Sequence, residues 1–434
     1  MDSPWLIAYL ALSGAALLLS VLLAVQTWEH RRHARSCMRG RDRHWPTGRA
    51  AILVPCKGVD VDLEGNLAAL FHQDYPDYEL LFVIEDRDDP AAAVIHRLIV
   101  EHARVPARLI VAGRSSQTGQ KVHNLLAAVA AAGPGVQYLA FVDSDAAPRR
   151  EWLRLLLARL DRPEIGATTG YRWFIPARPS LANYLLYSMN CGVMMLLGLR
   201  GQHWVWGGSW AIRRERFAAL GLANAWEGTV SDDLMASRLL HEARLPTRFE
   251  PVAVVGSPLN QTFAQMFAFL RRQYLLGRHH VGYWWAAALA GCTVTGLAWL
   301  ASAAAITWSL FGGCPLWIPL GTVAVLYATD VFRGMVRQSL VKTYFPDREA
   351  ELRGAKRFDI WAGPLTVLVN WLGMLSSTVG RTICWRGVVY RMLHHGRVSI
   401  ERRDPPSNCP DGDAVGSPAI ISIEDYTRVR TKTG

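Results

Sequence analysis

Four carboxylates in two close pairs are the residues of this chain with the plainest chemical use. Asp143 and Asp145 stand one residue apart, directly after the apolar run Tyr138–Val142. At the end of a buried strand, carboxylates so spaced can hold a hard divalent cation, Mg2+ or Mn2+, that takes oxygen ligands and shares them with substrate phosphates. A polar turn is the simpler account of the same residues. Asp232 and Asp233 follow Ser231 and precede the helical pattern of residues 234–240. Either can act as a general base towards an attacking hydroxyl, while Ser231 or Asp232 also caps the helix. Asp86 closes the run that begins at Glu79. There it can accept hydrogen bonds from a nucleobase or ribose, or serve as a solvated turn before a helix that opens at Pro90.

Cations and a glycine turn accompany these acids. Lys121 is a candidate phosphate partner, or else an ordinary surface lysine. Arg271, Arg272, Gln273 and Arg278 can neutralise a departing diphosphate or touch lipid headgroups. His279 and His280 have no partner at metal-ligand spacing and read as interface histidines. Trp206-Gly207-Gly208-Ser209 reads as a turn at which the backbone approaches a ligand closely and an indole stacks on a sugar, or as a plain turn.

These residues need a scaffold, and the chain between 48 and 282 supplies one. Strand-like runs at Ala50–Pro55, Glu79–Ile84, Arg108–Ala112 and Tyr138–Val142 alternate with helical patterns at Leu63–Phe71, Ala91–His102 and His123–Ala132. That alternation predicts an α/β fold with a mostly parallel sheet and helices on both faces. Ligands of such sheets bind at the carboxyl ends of the strands, where Asp86 and Asp143 fall. The apolar stretch Leu186–Leu199 reads as buried core or as an interfacial helix that guides a lipid; the second is preferred here.

Half of the 434 residues are hydrophobic, and 47 Lys and Arg against 36 acids give a net charge of +11. The excess fits anionic headgroups and phosphorylated substrates; no nucleic-acid module appears. Residues 1–28 contain an apolar run, Trp5–Val25, long enough to span a bilayer, and the basic segment 29–47 marks the cytoplasmic side. Residues 283–332 predict a transmembrane hairpin broken at Gly312, Gly313 and Pro315. Residues 333–398 predict a basic loop, then a last apolar run, Ile360–Val379, that spans, re-enters or bends near Asn370; the charge rule favours a cytoplasmic tail. Residues 399–434 read as a polar tail. The seven cysteines show no paired spacing and read as free thiols.

Taken in order, Val54-Pro55-Cys56-Lys57-Gly58, Gln73-Asp74-Tyr75-Pro76, Asp88-Asp89-Pro90-Ala91, Lys121-Val122-His123-Asn124-Leu125, Val142-Asp143-Ser144-Asp145, Trp206-Gly207-Gly208-Ser209 and Trp385-Arg386-Gly387 with Tyr390-Arg391 resemble the inverting, family-two glycosyltransferases of GT-A fold. Within them, the likeness is to the ceramide-glucosyltransferase-like membrane enzymes. The resemblance implies that Asp86 touches the nucleotide, that Asp143 and Asp145 bind metal, and that Asp232 or Asp233 is the base. It implies a nucleotide-sugar donor such as UDP-glucose, a lipid acceptor such as ceramide, and a catalytic domain on the cytoplasmic face of a bacterial inner membrane or a eukaryotic endomembrane. The family's Gln/Arg-x-x-Arg-Trp string is not intact: Arg272-Gln273 is followed by Arg278-His279, which also sets the chain apart from processive polysaccharide synthases. Such a synthase, and a non-catalytic nucleotide-sugar-binding membrane protein, are the competing expectations.

Overall fold

The computed structural model describes residues 4–40, 45–199, 203–312 and 314–403. Helix α1 (Pro4–Arg39) carries the apolar run but does not stop where it ends. It continues through most of the segment expected as a linker over 29–47, because that part has its own apolar and polar contacts. His30, His33 and Ala34 are buried, and His30 Nδ1 lies 2.6 Å from the Leu197 carbonyl. Arg41 and Arg43 lie outside the described residues.

The alternation then unfolds as expected: β1 (Arg49–Pro55), α2 (Leu63–Leu70), β2 (Tyr78–Ile84), α3 (Ala91–Glu101), β3 (Ala107–Val111), α4 (Gln120–Ala131) and β4 (Val136–Val142). β1 pairs in parallel with β2 and β4, and β2 with β3. Successive residues of β1 enter opposite cores. Ala50, Ile52 and Val54 pack with Leu67 and Ile95, while Ala51 and Leu53 pack with Val122 and Leu125. A strand covered on both faces reads as a continuous apolar run, which is why β1, β2 and β4 were visible in the sequence; β3, at the sheet edge, is only partly buried and shows in Leu109, Ile110 and Val111.

Next come α5 (Trp152–Ala158), β5 (Ala167–Pro176), α6 (Leu181–Met194), β6 (Ser209–Arg213), α7 (Arg214–Ala219), α8 (Leu222–Trp226), α9 (Asp232–Glu242), β7 (Thr247–Leu259) and α10 (Phe263–His280). They complete a sheet of order β3-β2-β1-β4-β6-β5-β7. β6 runs antiparallel to both neighbours, and β5 and β7 are parallel. The expected interfacial helix at Leu186–Leu199 is corrected: α6 is buried along most of its length, including Leu185, Leu186, Tyr187, Met189 and Met194, because later helices cover its outer face. Leu181 and Val193 near its ends are exposed, as are Leu196 and Leu199 in the turn beyond it.

Helices α11 (Gly282–Ser309) and α12 (Trp317–Gln338) occupy the residues expected as a transmembrane hairpin and pack against α1 and each other. Of the described helices, α1 and α11 are each long and apolar enough to cross a membrane. After α13 (Val341–Tyr344), α14 (Arg353–Trp361) and α15 (Gly363–Ser376) meet at 84°. The bend falls at Ala362, ahead of a proline in the first turn of α15, and Asn370 lies inside an unbroken helix, so a hairpin there is ruled out. Asp359, buried on α14, accepts from Arg337 (3.1 and 2.8 Å) and Gln338 (2.6 Å) and ties the bent pair to α12.

The chain then returns to the α/β domain as an antiparallel sheet, β8 (Thr382–Trp385), β9 (Val388–Met392) and β10 (Val398–Arg403). The basic residues after the last apolar run therefore lie on the same side as that domain. β10 runs past the boundary expected at 398; the remaining tail, 404–434, lies outside the described residues. Cys37, Cys56, Cys191, Cys292 and Cys314 are free thiols.

Candidate active site

A cavity of about 260 Å3 opens at the carboxyl ends of β1 and β4, between the first turn of α9, the middle of α10 and the β8–β9 hairpin. Eight of the ten candidate residues line it: Lys121, Asp143, Asp145, Trp206, Asp232, Asp233, Arg272 and Gln273. Strand β4 delivers Asp143 at its end. α9 delivers the other pair, its start fixed by Ser231, whose side chain accepts from the Leu234 N–H.

Lys121 bridges the pairs. Its Nζ is 2.8 Å from Asp143 Oδ1 and 3.3 Å from Asp232 Oδ1. Burial disfavours its charge, but Asp143, Asp232 and Asp233 outweigh that and raise its pKa. Asp232 is 1% exposed, and its Oδ2 has no hydrogen-bond partner. Burial pushes its carboxyl up to about 7 against the attraction of Lys121. Asp233 is held differently. Its Oδ2 accepts from the Gly207 N–H at 3.1 Å, and its Oδ1 accepts from Ser231 Oγ and from the Leu234 N–H at 2.8 Å.

The turn at Gly207–Gly208 runs between the pairs, tightly at Gly207 and with no room for a side chain at Gly208. A Cβ at Gly207 would come within 2.9 Å of Asp232 Oδ2 and 3.2 Å of Asp233 Oδ2; one at Gly208 would meet the Trp206 ring at 2.4 Å and Asp143 Oδ2 at 2.6 Å. Asp145 accepts from Ser257 at 2.8 Å and lies 3.9 Å from Arg172. Burial, then the neighbouring Asp143, raise its pKa despite Arg172. No group of three or more metal-ligating side chains occurs among the described residues. A cation at Asp143 and Asp145 would thus draw its other ligands from substrate and water, which suits a hard ion that bridges phosphates.

Two candidates stand elsewhere. Arg278 donates to the carbonyls of Ser377 (3.0 Å) and Gly380 (3.4 Å), just past the end of α15, instead of facing the cavity. Asp86 is half exposed beside Arg114 at 3.7 Å, outside the cavity lining. Its neighbour Glu85 is the buried one, held by Lys57 at 2.7 Å and Arg403 at 2.8 Å.

Several cavity residues were not assigned from sequence. Arg172 lies over Trp206 and Phe269 at 5.6 and 5.4 Å. Arg386 occupies the tip of the β8–β9 hairpin at φ 47, followed by Gly387 at φ 79, a pair of left-handed residues that suits a tight two-residue turn. Its guanidinium donates to the Lys57 carbonyl and to both oxygens of Asp60 (3.2 and 3.0 Å). The Tyr390 hydroxyl accepts from the Gln120 N–H at 3.1 Å, and Trp385 stacks beneath Arg272 at 5.3 Å. The strings Trp385-Arg386-Gly387 and Tyr390-Arg391 were the available signal.

A mostly parallel sheet with helices on both faces, two acid pairs at its carboxyl edge and a lysine between them defines an α/β protein with an acidic site, here joined to membrane-length helices. The family follows: the family model for glycosyl transferase family 21 matches residues 11–398, and the chain belongs to that family. Among curated relatives, ceramide glucosyltransferase 1 of Caenorhabditis elegans is 32% identical over 19% of this chain and 18% of that protein. The ceramide glucosyltransferase of Komagataella phaffii is 39% identical over 14% of this chain and 12% of that protein. The matched stretches thus span less than a fifth of those relatives. Among solved structures, a mannosyltransferase from Pyrobaculum calidifontis in complex with GDP-Man and Mn2+ is similar at 18% identity and a TM-score of 0.48, covering 81% of this chain and 99% of that one.

Proposed function

We propose that the protein transfers one sugar from a nucleotide sugar, UDP-glucose or a close relative, to a lipid hydroxyl such as that of ceramide, with inversion at the anomeric carbon. The observation that carries this is the meeting of Asp143 and Asp145 with Asp233 across the Gly207–Gly208 turn, in one cavity whose α10 wall leads directly into the membrane-length α11. Asp143 and Asp145 would hold Mg2+ or Mn2+, which when bound neutralises diphosphate charge.

Asp233 is the general base in this reading. Three donors aim its carboxylate, and it is less buried than Asp232, whose work is to hold Lys121. The acceptor oxygen bonds to the anomeric carbon, its proton passes to Asp233, and the bond to the diphosphate breaks. Lys121 and Arg272 face the charge that develops on the leaving group. The base and ribose extend towards the end of β2, where Asp86 accepts from them. The catalytic domain faces the cytoplasm, on the side marked by the basic residues that follow the apolar segments.

The test is product analysis by mass spectrometry of the purified protein in lipid, offered a panel of UDP-sugars, Mg2+ or Mn2+ and a mixed lipid extract. One added hexose on a lipid, absent with Asp233→Ala and retained in part with Asp232→Ala, supports the reading. A polymer, a retained anomer or no product from any donor overturns it.

A further inference from the structure

A second cavity, of about 270 Å3, opens where the α/β domain meets the membrane helices. Its walls are the C-terminal half of α9, the last turn of α10 and the first turn of α11, with Trp204 opposite. It continues the active site along the same two helices. Leu234 and Gly277 line the first cavity; Ser237 and His280, one turn further on each helix, line the second.

His280 is 7% exposed, and neither ring nitrogen has a hydrogen-bond partner. Buried polar atoms are rarely left so, and each such case asks for an explanation. Gly396 packs against the ring edge that carries Cε1 and Nδ1, where a Cβ would come within 2.4 Å of both, and Nε2 is the nitrogen further from it. Burial lowers the imidazole to about 4, so it is neutral at ordinary pH. A neutral imidazole offers one donor and one acceptor, which matches a hydroxyl or an amide better than an ion.

The mouth points to the source of that ligand. Tyr283 and Trp284, 81% and 55% exposed, begin a helix of membrane-spanning length, the level at which aromatic residues meet lipid headgroups. Trp204 meets Trp284 edge to face at 6.3 Å. At the rim, Arg238 and Glu242 pair at 2.8 Å and cancel each other's charge, which leaves no net charge to select an anionic head.

We infer that this cavity takes the uncharged, hydroxyl- or amide-bearing head of a membrane amphiphile, with His280 as its hydrogen-bonding partner, and that the lipid acceptor is loaded here before it reaches Asp233. The acceptor role rests on the transferase reading above; the binding site does not.

The experiment uses the full chain in lipid nanodiscs and a short-chain ceramide with a diazirine in its acyl chain. After irradiation, adducts are mapped by peptide mass spectrometry, and transfer to the same lipid is followed for the wild type, His280→Phe and His280→Gln. Expected are wild-type adducts on residues 237–242 and 280–284. The acceptor KM should rise about tenfold in His280→Phe, the size of one well-made hydrogen bond, with the donor KM within about twofold, and His280→Gln, which keeps a donor and an acceptor, should recover most of the loss. Wild-type adducts confined to other segments overturn the site, a result that stands even if His280→Phe fails to fold. Adducts in the cavity with equal acceptor KM values overturn the loading role. If the wild type transfers sugar to no lipid, the transferase reading fails and the acceptor role with it, while the adduct map still decides the binding site.

Discussion

The two acid pairs face each other across one glycine turn, yet they are held in opposite ways. Asp233 has three donors on its two oxygens and a place in the first turn of a capped helix. Asp143 and Asp145 have a lysine, a serine hydroxyl and a distant arginine between them, and their mutual repulsion is only partly relieved. A carboxylate bonded from three sides keeps its orientation through a reaction. A pair left short of positive charge is ready to take a cation with its substrate. The difference separates a fixed base from an exchangeable binding site on grounds other than position in sequence.

The comparison can be broken most forcefully at the first pair. Replacing Asp143 and Asp145 by alanine should lower transfer by about 10³- to 10⁴-fold, the worth of several kcal/mol of charge stabilisation, and abolish any response of the rate to Mg2+ or Mn2+ after chelation. Asp233→Ala should cost about 10²- to 10³-fold in kcat with the donor KM little changed, as for loss of a general base; an equal loss in both constants would put Asp233 in binding instead. Lys121→Met, which leaves three carboxylates without their shared cation, should cost about 10²-fold, and steady-state kinetics would show it. Arg386→Ala should raise the donor KM by about tenfold through the loss of Asp60 and the Lys57 carbonyl, with kcat less affected.

The smallest effect concerns pH. The folded protein holds the Asp232 proton more tightly than the unfolded chain, since its carboxyl is raised from 3.8 to about 7. Its contribution therefore favours folding at low pH and is lost as pH rises from about 4 to 7. Lys121 keeps its charge throughout that window. Thermal unfolding midpoints across it should fall less steeply in Asp232→Asn than in the wild type.

The sequence revealed most where structure is local. Three of the four strands from Arg49 to Val142 are largely apolar and buried on both faces, the fourth is the partly exposed edge strand β3, and each was placed within two residues of its ends. β7 was not, because Glu250, Pro251 and Pro258 interrupt its pattern, and β6 is only five residues long. Asp143, Asp145 and the Asp232–Asp233 pair were legible from type, spacing and resemblance. Arg278 misled because a cation beside a membrane segment suits phosphate and helix end equally. The role of Arg386 was out of reach: its contact with Lys57 joins residues 329 positions apart, and it exists only because the bent pair α14–α15 turns the chain back.

Helix α1 joins the domain to its apolar segment with no hinge. Thirty-six residues rise about 54 Å, of which a bilayer's hydrocarbon takes about 30; the rest is the part clamped by His30, His33 and Ala34. Such a rod sets a standoff height. The distance between the catalytic pocket and the lipid surface is then a property of the helix and of the host bilayer's thickness, so a thinner or thicker membrane would tilt the rod and present the same pocket to the lipid heads at another angle.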